Sequence, residues 1–100
     1  MKLTKLTLTS GIYAIVCNPT NKVYVGQSIN IKARKGKHVA DLLKNKHCNS
    51  YLQNSFNKHG RNSFSFKVLE NCERDLLTER ESYWIEKYKS NNSDFGFNLK

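Results

Sequence analysis

The stretch from residue 11 to residue 26, GIYAIVCNPTNKVYVG, constrains the fold more than any other part of this chain. Two apolar runs flank a polar break, NPTN at residues 18–21, which contains the only proline. This pattern is typical of a β-hairpin with strands at residues 11–17 and 22–26. The chain therefore has to build its fold around a two-stranded ribbon.

The register of this hairpin decides where its two motif tyrosines lie. We expect Cys17 to pair with Lys22 across the turn. Because side chains alternate between the two faces along each strand, Tyr13 and Tyr24 then lie on the same face as diagonal cross-strand neighbours. Two phenols on one face are explained either by packing or by a shared site.

The remaining elements are predicted from periodicity and from cap and turn residues. We predict a first helix with Ser28 or Asn30 as its N-cap, a second helix closed by His59-Gly60, and a third strand of alternating phenylalanines. The first nine residues form either a frayed segment or an edge strand. The other predicted limits are residue 44 or 45 for the end of the first helix, 50–58 for the second, 63–70 for the third strand, 73–89 for the last helix and 97–99 for a short terminal strand.

This order of elements predicts an α+β fold, a small three-stranded antiparallel sheet flanked by helices. One hundred residues suffice for one modest core, so we treat residues 1–100 as a single domain. No apolar run approaches the ~20 residues of a membrane span, and no membrane partner is expected. The three cysteines form no CxxC pair and are interpreted as free thiols.

The positive charge of the chain is unevenly distributed. Residues 1–69 hold twelve Lys and Arg against one acidic residue, Asp41, for a net charge of +11, whereas residues 70–100 hold five against seven, for −2. A basic region of this density favours a polyanionic partner, with nucleic acid as the first candidate. The simpler alternative is a surface charge that only keeps the domain soluble.

The first helix carries polar side chains on the side that should face the core. At 100° per residue, Arg34 and His38 both lie within about 60° of Ile31, and because they are four residues apart they are neighbours. A single histidine on such a face is usually structural, but one beside an arginine is a candidate for a catalytic site. The exposed surface of the same helix offers candidate phosphate ligands, namely Lys32, Lys35 and Lys37.

The last helix presents a similar anomaly with a carboxylate. Glu81 lies about 40° from Leu77, inside the apolar sector that also holds Trp84 and Tyr88. A carboxylate in such a place is costly unless it is paired, protonated or bound to a metal. Two explanations remain open, a buried ion pair, for instance with Arg34, or a ligand for a hard cation such as Mg²⁺.

These polar residues supply what phosphodiester hydrolysis requires, which is a metal ligand, a cation for the developing charge and groups for proton transfer. Other chemistries are disfavoured. His47, Cys48 and His59 match no standard zinc spacing, and the chain contains no GxSxG, P-loop or dinucleotide-binding fingerprint.

Four features stand in order along the chain: GIY at residues 11–13, YVG at residues 24–26, Arg34 ten residues after Tyr24, and a glutamate in a late, aromatic-rich helix. Together they resemble the motifs of the GIY-YIG nuclease superfamily, and the resemblance covers about residues 10–99. The chain is similar in particular to the catalytic domains of phage and group I intron homing endonucleases. Their matching segments look much like SFNKHG and ERESYWI in this sequence.

The resemblance implies a role for each matching residue. Tyr13 corresponds to the tyrosine that helps to activate the water nucleophile or acts as its base, and Tyr24 to one that orients water or phosphate. Arg34 corresponds to the arginine that binds the scissile phosphate, with His38 in the same site. Glu81 corresponds to the ligand of a single divalent ion, Mg²⁺ or Mn²⁺. The residues that match supporting positions are Gly26, His47 and Asn98.

The resemblance therefore implies a metal-dependent DNA endonuclease that leaves 5′-phosphate and 3′-hydroxyl ends and needs no small-molecule cofactor. YVG in place of YIG removes one methylene from a strand side chain and is not expected to affect the chemistry. Because homing enzymes carry a separate DNA-binding domain, we expect such a domain or a partner subunit to supply tight sequence selectivity. The expected location is the cytosol or nucleoid of a phage or bacterial host, or an organelle if an intron encodes the chain.

Two alternatives from other classes stand beside this expectation. One is a non-catalytic nucleic-acid-binding module that keeps the GIY-YIG fold, although such a module needs Lys and Arg but has no use for an inward-facing Glu81. The other is a structural or interaction protein with a basic surface, whose affinity for DNA would be negligible at ~150 mM salt.

Overall fold

A computed structural model describes residues 9–99 of the chain, so the prediction for the first nine residues lies outside this range except at Thr9. The fold is a three-stranded antiparallel sheet in the order β2-β1-β3 with helices on both faces, and the predicted α+β class is confirmed. The elements are β1 (Gly11–Cys17), β2 (Lys22–Ser28), α1 (Ile31–Leu43), α2 (Ser50–His59), β3 (Phe64–Asn71) and α3 (Leu77–Tyr88).

The hairpin of β1 and β2 has the register predicted from its turn. Cys17 pairs with Lys22, and the Cys17 carbonyl oxygen accepts hydrogen bonds from the backbone N–H groups of Thr20 and Asn21. Asn21 has a φ of 62°, a left-handed conformation that asparagine tolerates better than most residues. β2 continues to Ser28, two residues beyond the predicted end.

β3 pairs with the other side of β1 and contains a bulge. Ile12 pairs with Glu70 but Tyr13 pairs with Val68, so one residue of β3 is left without a partner in the ladder. A Cβ atom on Gly11 would overlap the carbonyl oxygen of Glu70. Glycine at this position therefore lets β1 and β3 approach closely beside the bulge.

Local capping explains where the helices begin and end. Asn30 is the N-cap of α1 and Asn49 the N-cap of α2, and each side chain accepts a hydrogen bond from a backbone N–H of the following turn. Gly60, with a φ of 87°, ends α2. The last helix begins later than predicted, because Arg74–Leu76 forms a 3₁₀ turn before α3. Within residues 9–99, no helix is long and apolar enough to cross a membrane.

The sheet separates two hydrophobic cores. Tyr13, Ile15 and Cys17 of β1 belong to the core on the side of α1 and α2, whereas the alternate residues Ile12 and Ala14 belong to the core on the side of α3. This is the period-two alternation of a strand, but with apolar side chains on both faces. β1 is therefore buried from both sides and forms the centre of the domain.

A polar cluster joins α3 to β3. Nε of Arg80 donates to both carboxylate oxygens of Glu70, at 2.9 and 3.1 Å, and the indole N–H of Trp84 donates to the same carboxylate at 2.9 Å. The Arg80 guanidinium also lies 4.3 Å from the centre of the Tyr83 ring. These contacts account for an arginine beside the apolar stripe of α3.

The predicted strand at residues 97–99 is wrong. Within the described residues, this part of the chain meets β2 at a single parallel bridge between Val23 and Gly96. The Val23 N–H donates to Phe95 O at 3.1 Å, and the Phe97 N–H donates to Val23 O at 3.0 Å. A Cβ atom on Gly96 would overlap the backbone of Ser90. The segment thus folds back against the end of α3 and meets the edge of β2 through one backbone bridge and the side chain of Asn98, without forming a strand.

Two glycine substitutions test this description of the sheet. We expect Gly11→Ala to lower the free energy of unfolding by about 1–3 kcal/mol, because the new Cβ atom overlaps the backbone of β3. Gly36→Ala in α1 is the matched control, since a Cβ atom there meets nothing within 4 Å and alanine favours a helix by about 1 kcal/mol. Urea unfolding followed by circular dichroism measures both changes. A Gly11→Ala protein as stable as the wild type would contradict the close approach of the strands.

Candidate active site

Two side chains of α1 meet a tyrosine of the hairpin on one face of the sheet. Tyr13 is only 1% exposed, and its hydroxyl oxygen lies 2.6 Å from Nε2 of His38, which is also buried. The guanidinium of Arg34, one helical turn earlier, interacts with the same hydroxyl closely enough to lower its pKa and to raise the pKa of Arg34. The structure thus brings Tyr13, Arg34 and His38 together.

Gly26 leaves the space that the Tyr13 hydroxyl occupies. Gly26 is the cross-strand partner of Tyr13, and a Cβ atom on it would overlap the phenol ring and its oxygen. The resemblance assigned only a supporting role to this glycine. Its physical function here is to let a buried phenol lie flat across the neighbouring strand.

The second motif tyrosine packs on a pair of hydrogen-bonded imidazoles. Nδ1 of His38 lies 2.7 Å from Nε2 of His47, and the two rings are nearly parallel with centroids 4.9 Å apart. Tyr24 lies edge-on to both rings, at 5.6 and 6.3 Å between centroids. His47, predicted as a supporting residue, therefore reaches the site through His38.

Two residues that the sequence did not single out hold His47 in place. The backbone N–H of Asn49 donates to Nδ1 of His47 at 3.0 Å, and the backbone N–H of His47 donates to the side-chain oxygen of Gln53 at 3.0 Å. Gln53 is buried and also donates to the carbonyl oxygen of Leu42 at the end of α1. The sequence does contain one indication of the role of Gln53. At 100° per residue this glutamine lies only about 60° from Phe56, beside the apolar stripe of the second helix.

Glu81 approaches from the other side of the sheet. It lies on α3, and its Oε1 accepts a hydrogen bond from Nε2 of Gln27 at 3.1 Å. Burial is the main cause that raises the pKa values of Tyr13 and Tyr24, and the charge of Glu81 adds to both. The carboxylate is therefore within electrostatic reach of the tyrosines.

Of the two explanations left open for Glu81, the buried ion pair with Arg34 is wrong. Glu81 is partly exposed, and within residues 9–99 its carboxylate is hydrogen-bonded by Gln27. The helical wheel gave the correct side of α3, but β2 is an edge strand. Beside an edge strand the carboxylate is in reach of solvent, and it remains partly exposed.

A partly exposed single carboxylate suits a Mg²⁺ ion, which keeps several water ligands and is commonly held by one or two carboxylates together with substrate phosphates. The hydrogen bond from Gln27 engages Oε1 of Glu81, so Oε2 is the atom left for such an ion. Among residues 9–99, no group of three or more His, Cys, Asp or Glu could hold a metal by itself. A site completed by water and phosphate oxygens is therefore the form that fits.

Asn98 supports the exposed edge of β2. Its side-chain oxygen accepts a hydrogen bond from the Val25 N–H at 2.8 Å, and its side-chain nitrogen donates to the Val25 carbonyl oxygen at 2.9 Å. The amide thus takes the place of a neighbouring strand at the residue between Tyr24 and Gly26. Asn98, predicted as a supporting residue, thus lies at the strand that carries Tyr24 and Gly26.

The buried tyrosines and histidines are neutral at neutral pH. Burial raises the pKa of Tyr13 to about 12, an effect that the interaction with Arg34 only partly offsets. Burial, with the neighbouring His47 and Arg34, lowers the pKa of His38 to about 4, and burial lowers the pKa of His47 as well. The interaction with Tyr13 raises the pKa of Arg34, so the guanidinium keeps its charge.

The three lysines expected to bind phosphates lie on the outer surface of α1. All are exposed. The ammonium of Lys35 lies 5.4 Å from the centre of the Phe66 ring, and Lys37 forms an exposed salt bridge of 3.2 Å with Asp41. The lysines are spread around the exposed sides of the helix that carries Arg34.

The comparisons with known proteins cover the part of the chain that carries these residues. The family model of the GIY-YIG catalytic domain matches residues 9–94. Intron-associated endonuclease 1 of Enterobacteria phage T4 is 43% identical over 94 residues, which make up 92% of this chain and 37% of that protein. The chain thus spans little more than a third of the length of this curated relative.

Two solved structures have the same fold. The catalytic domain of the homing endonuclease I-TevI matches with a TM-score of 0.80 and 42% identity, covering 87% of this chain and 96% of that one. A point mutant of the catalytic domain of the intron endonuclease I-TevI matches with a TM-score of 0.75 and 44% identity, covering 82% and 86%. The likeness therefore extends to the sequence as well as to the fold.

The environment of His38 predicts that the domain loses stability in acid. Below pH 6.5 the unfolded chain binds a proton at His38 that the folded domain binds only near pH 4, so the free energy of unfolding falls as the pH drops through this interval. Between about pH 7 and about pH 5 we expect this group to remove about 2 kcal/mol. Urea unfolding of the wild type and of His38→Gln at both pH values measures the difference. Equal losses of stability in the two proteins would show that His38 is not held neutral.

Proposed function

This chain belongs to the GIY-YIG family, and we propose that it acts as the catalytic domain of a DNA endonuclease that depends on a divalent metal ion. The observation that carries the proposal is the meeting of Tyr13, Arg34 and His38 on one face of the sheet, with Glu81 at the adjacent edge. The curated relative and the solved domains are described as endonucleases, which supports the same activity here.

Arg34 is the residue best suited to bind the scissile phosphate. Its guanidinium is partly exposed, keeps its charge and interacts with Tyr13. A guanidinium forms paired, charge-assisted hydrogen bonds with phosphate oxygens. In this position it offsets the negative charge that develops on the phosphorus centre in the transition state.

Tyr13 and Tyr24 position the attacking water. Because the pKa of Tyr13 is about 12, it begins the reaction as a phenol. It either orients the water through a hydrogen bond or takes part in removing its proton, with help from His38 or Tyr24. The water attacks phosphorus in line with the leaving 3′-oxygen, so the products carry 5′-phosphate and 3′-hydroxyl ends.

Glu81 would hold the metal ion, Mg²⁺ or Mn²⁺, and the hydrogen bond from Gln27 fixes its carboxylate. A bound ion supplies Lewis-acid polarisation of the phosphodiester and stabilises the leaving 3′-oxygen. Gln27 lies on β2 one residue after Gly26, so the same strand positions the carboxylate and the space for Tyr13.

The substrate that fits the charge distribution is DNA. The exposed cations of α1 extend the positive surface beyond Arg34 and bind the backbone on either side of the cut, and they comprise Lys32, Lys35 and Lys37. Target selection belongs to a separate DNA-binding domain or a partner subunit. The working location is the cytosol or nucleoid of a phage or bacterial host, or an organelle, where the three free cysteines stay reduced.

The leading alternative is a non-catalytic DNA-binding module with the same fold. Surface lysines and arginines suffice for such a role. The buried bond between Tyr13 and His38 gives no advantage to a module that only binds, and its polar groups are costly to bury. A purely structural protein with a basic surface is less favoured for the same reason.

Cleavage of supercoiled plasmid DNA tests the activity. With Mg²⁺ we expect nicked or linear products, and with excess EDTA none. Arg34→Ala and Glu81→Ala should each lower the rate by at least about 100-fold while the circular dichroism spectrum stays unchanged. Binding without cleavage by the wild type in Mg²⁺ and in Mn²⁺ would favour the non-catalytic module.

Two exposed residues provide matched controls for these variants. Glu79→Ala removes a carboxylate from the solvent side of α3, and Arg74→Ala removes a guanidinium from the turn before it. Both should cut at the wild-type rate. If they lost activity as strongly as Arg34→Ala and Glu81→Ala, the loss would reflect net charge and the assigned site would be wrong.

The lysine surface of α1 predicts a change in the salt dependence of binding. Each phosphate contact adds about 0.9 to the slope of log K against log salt. Replacing Lys32, Lys35 and Lys37 together by glutamine should therefore lower this slope by about two to three. Fluorescence anisotropy with duplex DNA at several salt concentrations measures it. An unchanged slope would mean that DNA binds to another surface.

A further inference from the structure

A continuous chain of hydrogen bonds runs from the backbone to the candidate catalytic tyrosine. The Asn49 N–H lies 3.0 Å from Nδ1 of His47, Nε2 of His47 lies 2.7 Å from Nδ1 of His38, and Nε2 of His38 lies 2.6 Å from the Tyr13 hydroxyl oxygen. Each of the three links is short, and both imidazoles are buried.

The hydrogen bond from Asn49 to His47 determines which atom donates in the other two hydrogen bonds. A backbone N–H can only donate, so Nδ1 of His47 must accept and carries no hydrogen. A neutral imidazole has a single N–H, which places the hydrogen of His47 on Nε2, where it donates to Nδ1 of His38. By the same argument His38 carries its hydrogen on Nε2 and donates it to Tyr13.

We propose that the Asn49 backbone N–H, acting through His47, locks His38 as the Nε2–H tautomer, so that Tyr13 accepts a hydrogen bond from His38 and keeps its own O–H for an oxygen of water or phosphate. This inference rests on the proposed function for its catalytic consequence. His47 and Asn49 are positioning residues, since they act on Tyr13 only through His38.

The Tyr13 oxygen accepts one hydrogen bond in this arrangement, from the His38 N–H. A hydroxyl has one hydrogen and two lone pairs, and this bond occupies one of the lone pairs. The hydrogen of the hydroxyl is not used by His38 and can turn to another acceptor. Tyr13 therefore begins the reaction as a donor to an oxygen of water or phosphate, and His38 does not take its proton.

The opposite polarity would place donors against each other. If His38 carried its hydrogen on Nδ1, His47 would need its own on Nδ1, which faces the Asn49 N–H at 3.0 Å. A doubly protonated His38 would direct an N–H at the N–H of His47 across 2.7 Å. Because both rings are buried, water cannot relieve either conflict. The lowered pKa of His38 agrees with this picture.

The donor at the start of the chain is itself held rigidly. The side chain of Asn49 caps α2 by accepting from the Leu52 N–H at 2.9 Å, and it donates to the Phe97 carbonyl oxygen at 2.8 Å. Gln53 binds the backbone of His47 on the other side. These contacts prevent His47 from turning to meet His38 through its other nitrogen.

Long-range ¹⁵N–¹H correlation NMR on the free wild-type domain tests the tautomers directly, without DNA or metal. We expect both His38 and His47 to carry their hydrogen on Nε2 at neutral pH. A spectrum with the His38 hydrogen on Nδ1 would overturn the proposal, whatever the cleavage assay shows. A domain that fails to cut DNA but has the expected tautomers would refute the proposed function. The inferred direction of the hydrogen bonds from Asn49 to Tyr13 would still stand.

Two variants of similar size at one position test the catalytic consequence. His47→Gln keeps an acceptor for Asn49 and a donor for His38, whereas the carboxylate of His47→Glu can only accept. At about pH 9, where imidazole is neutral, we expect the Glu variant to move the His38 hydrogen to Nδ1. It should then cut DNA about 100-fold more slowly than the Gln variant, because the Tyr13 O–H turns to His38.

If the two variants cut DNA at equal rates although the His38 tautomer differs between them, the tautomer does not control Tyr13 and the proposal is overturned. The urea-unfolding midpoints of both variants establish that the compared proteins are folded. If His47→Glu does not fold, the wild-type NMR measurement still decides the tautomer, and the Gln variant must keep the His38 hydrogen on Nε2 for the proposal to hold.

Discussion

The buried hydroxyl of Tyr13 is the constraint on which the rest of the structure depends. A phenol that is 1% exposed needs partners for its oxygen and space for its ring. His38 and Arg34 supply the partners from one helix, and Gly26 supplies the space from the next strand. The GIY motif therefore supplies the buried tyrosine, and the YVG motif supplies the glycine that leaves space for its ring.

The edge position of β2 explains how residues on opposite faces of a sheet form one site. The sheet order leaves β2 without a neighbouring strand on one side, and Glu81 on α3 binds Gln27 of this strand and acts electrostatically on the tyrosines. An open edge is also a weak point, because its backbone groups lack partners. The side-chain amide of Asn98 satisfies one residue of that edge, which holds the strand beside the site.

The sequence predicted best what depends on local periodicity. The register of the hairpin, the caps of α1 and α2 and the pairing of Arg34 with His38 all follow from the spacing of residues within one or two elements. It failed where the answer depends on which elements meet. The exposure of Glu81, the absence of the strand at residues 97–99 within the described chain, and the part played by Gln53 depend on tertiary contacts that no single element encodes.

The site separates neutral polar groups from charged ones, and this separation has a physical reason. Tyr13, His38 and His47 are buried and neutral, because burial raises the pKa of the phenol and lowers the pKa of the imidazoles. Arg34 and Glu81, whose side chains are ionisable, lie at partly exposed positions where a charged group keeps part of its hydration. In the proposed site, Arg34 pairs with an anion and Glu81 with a cation only when substrate and metal bind. The buried hydrogen bonds among Tyr13, His38 and His47 can therefore keep one direction, while Arg34 and Glu81 remain accessible to phosphate and metal.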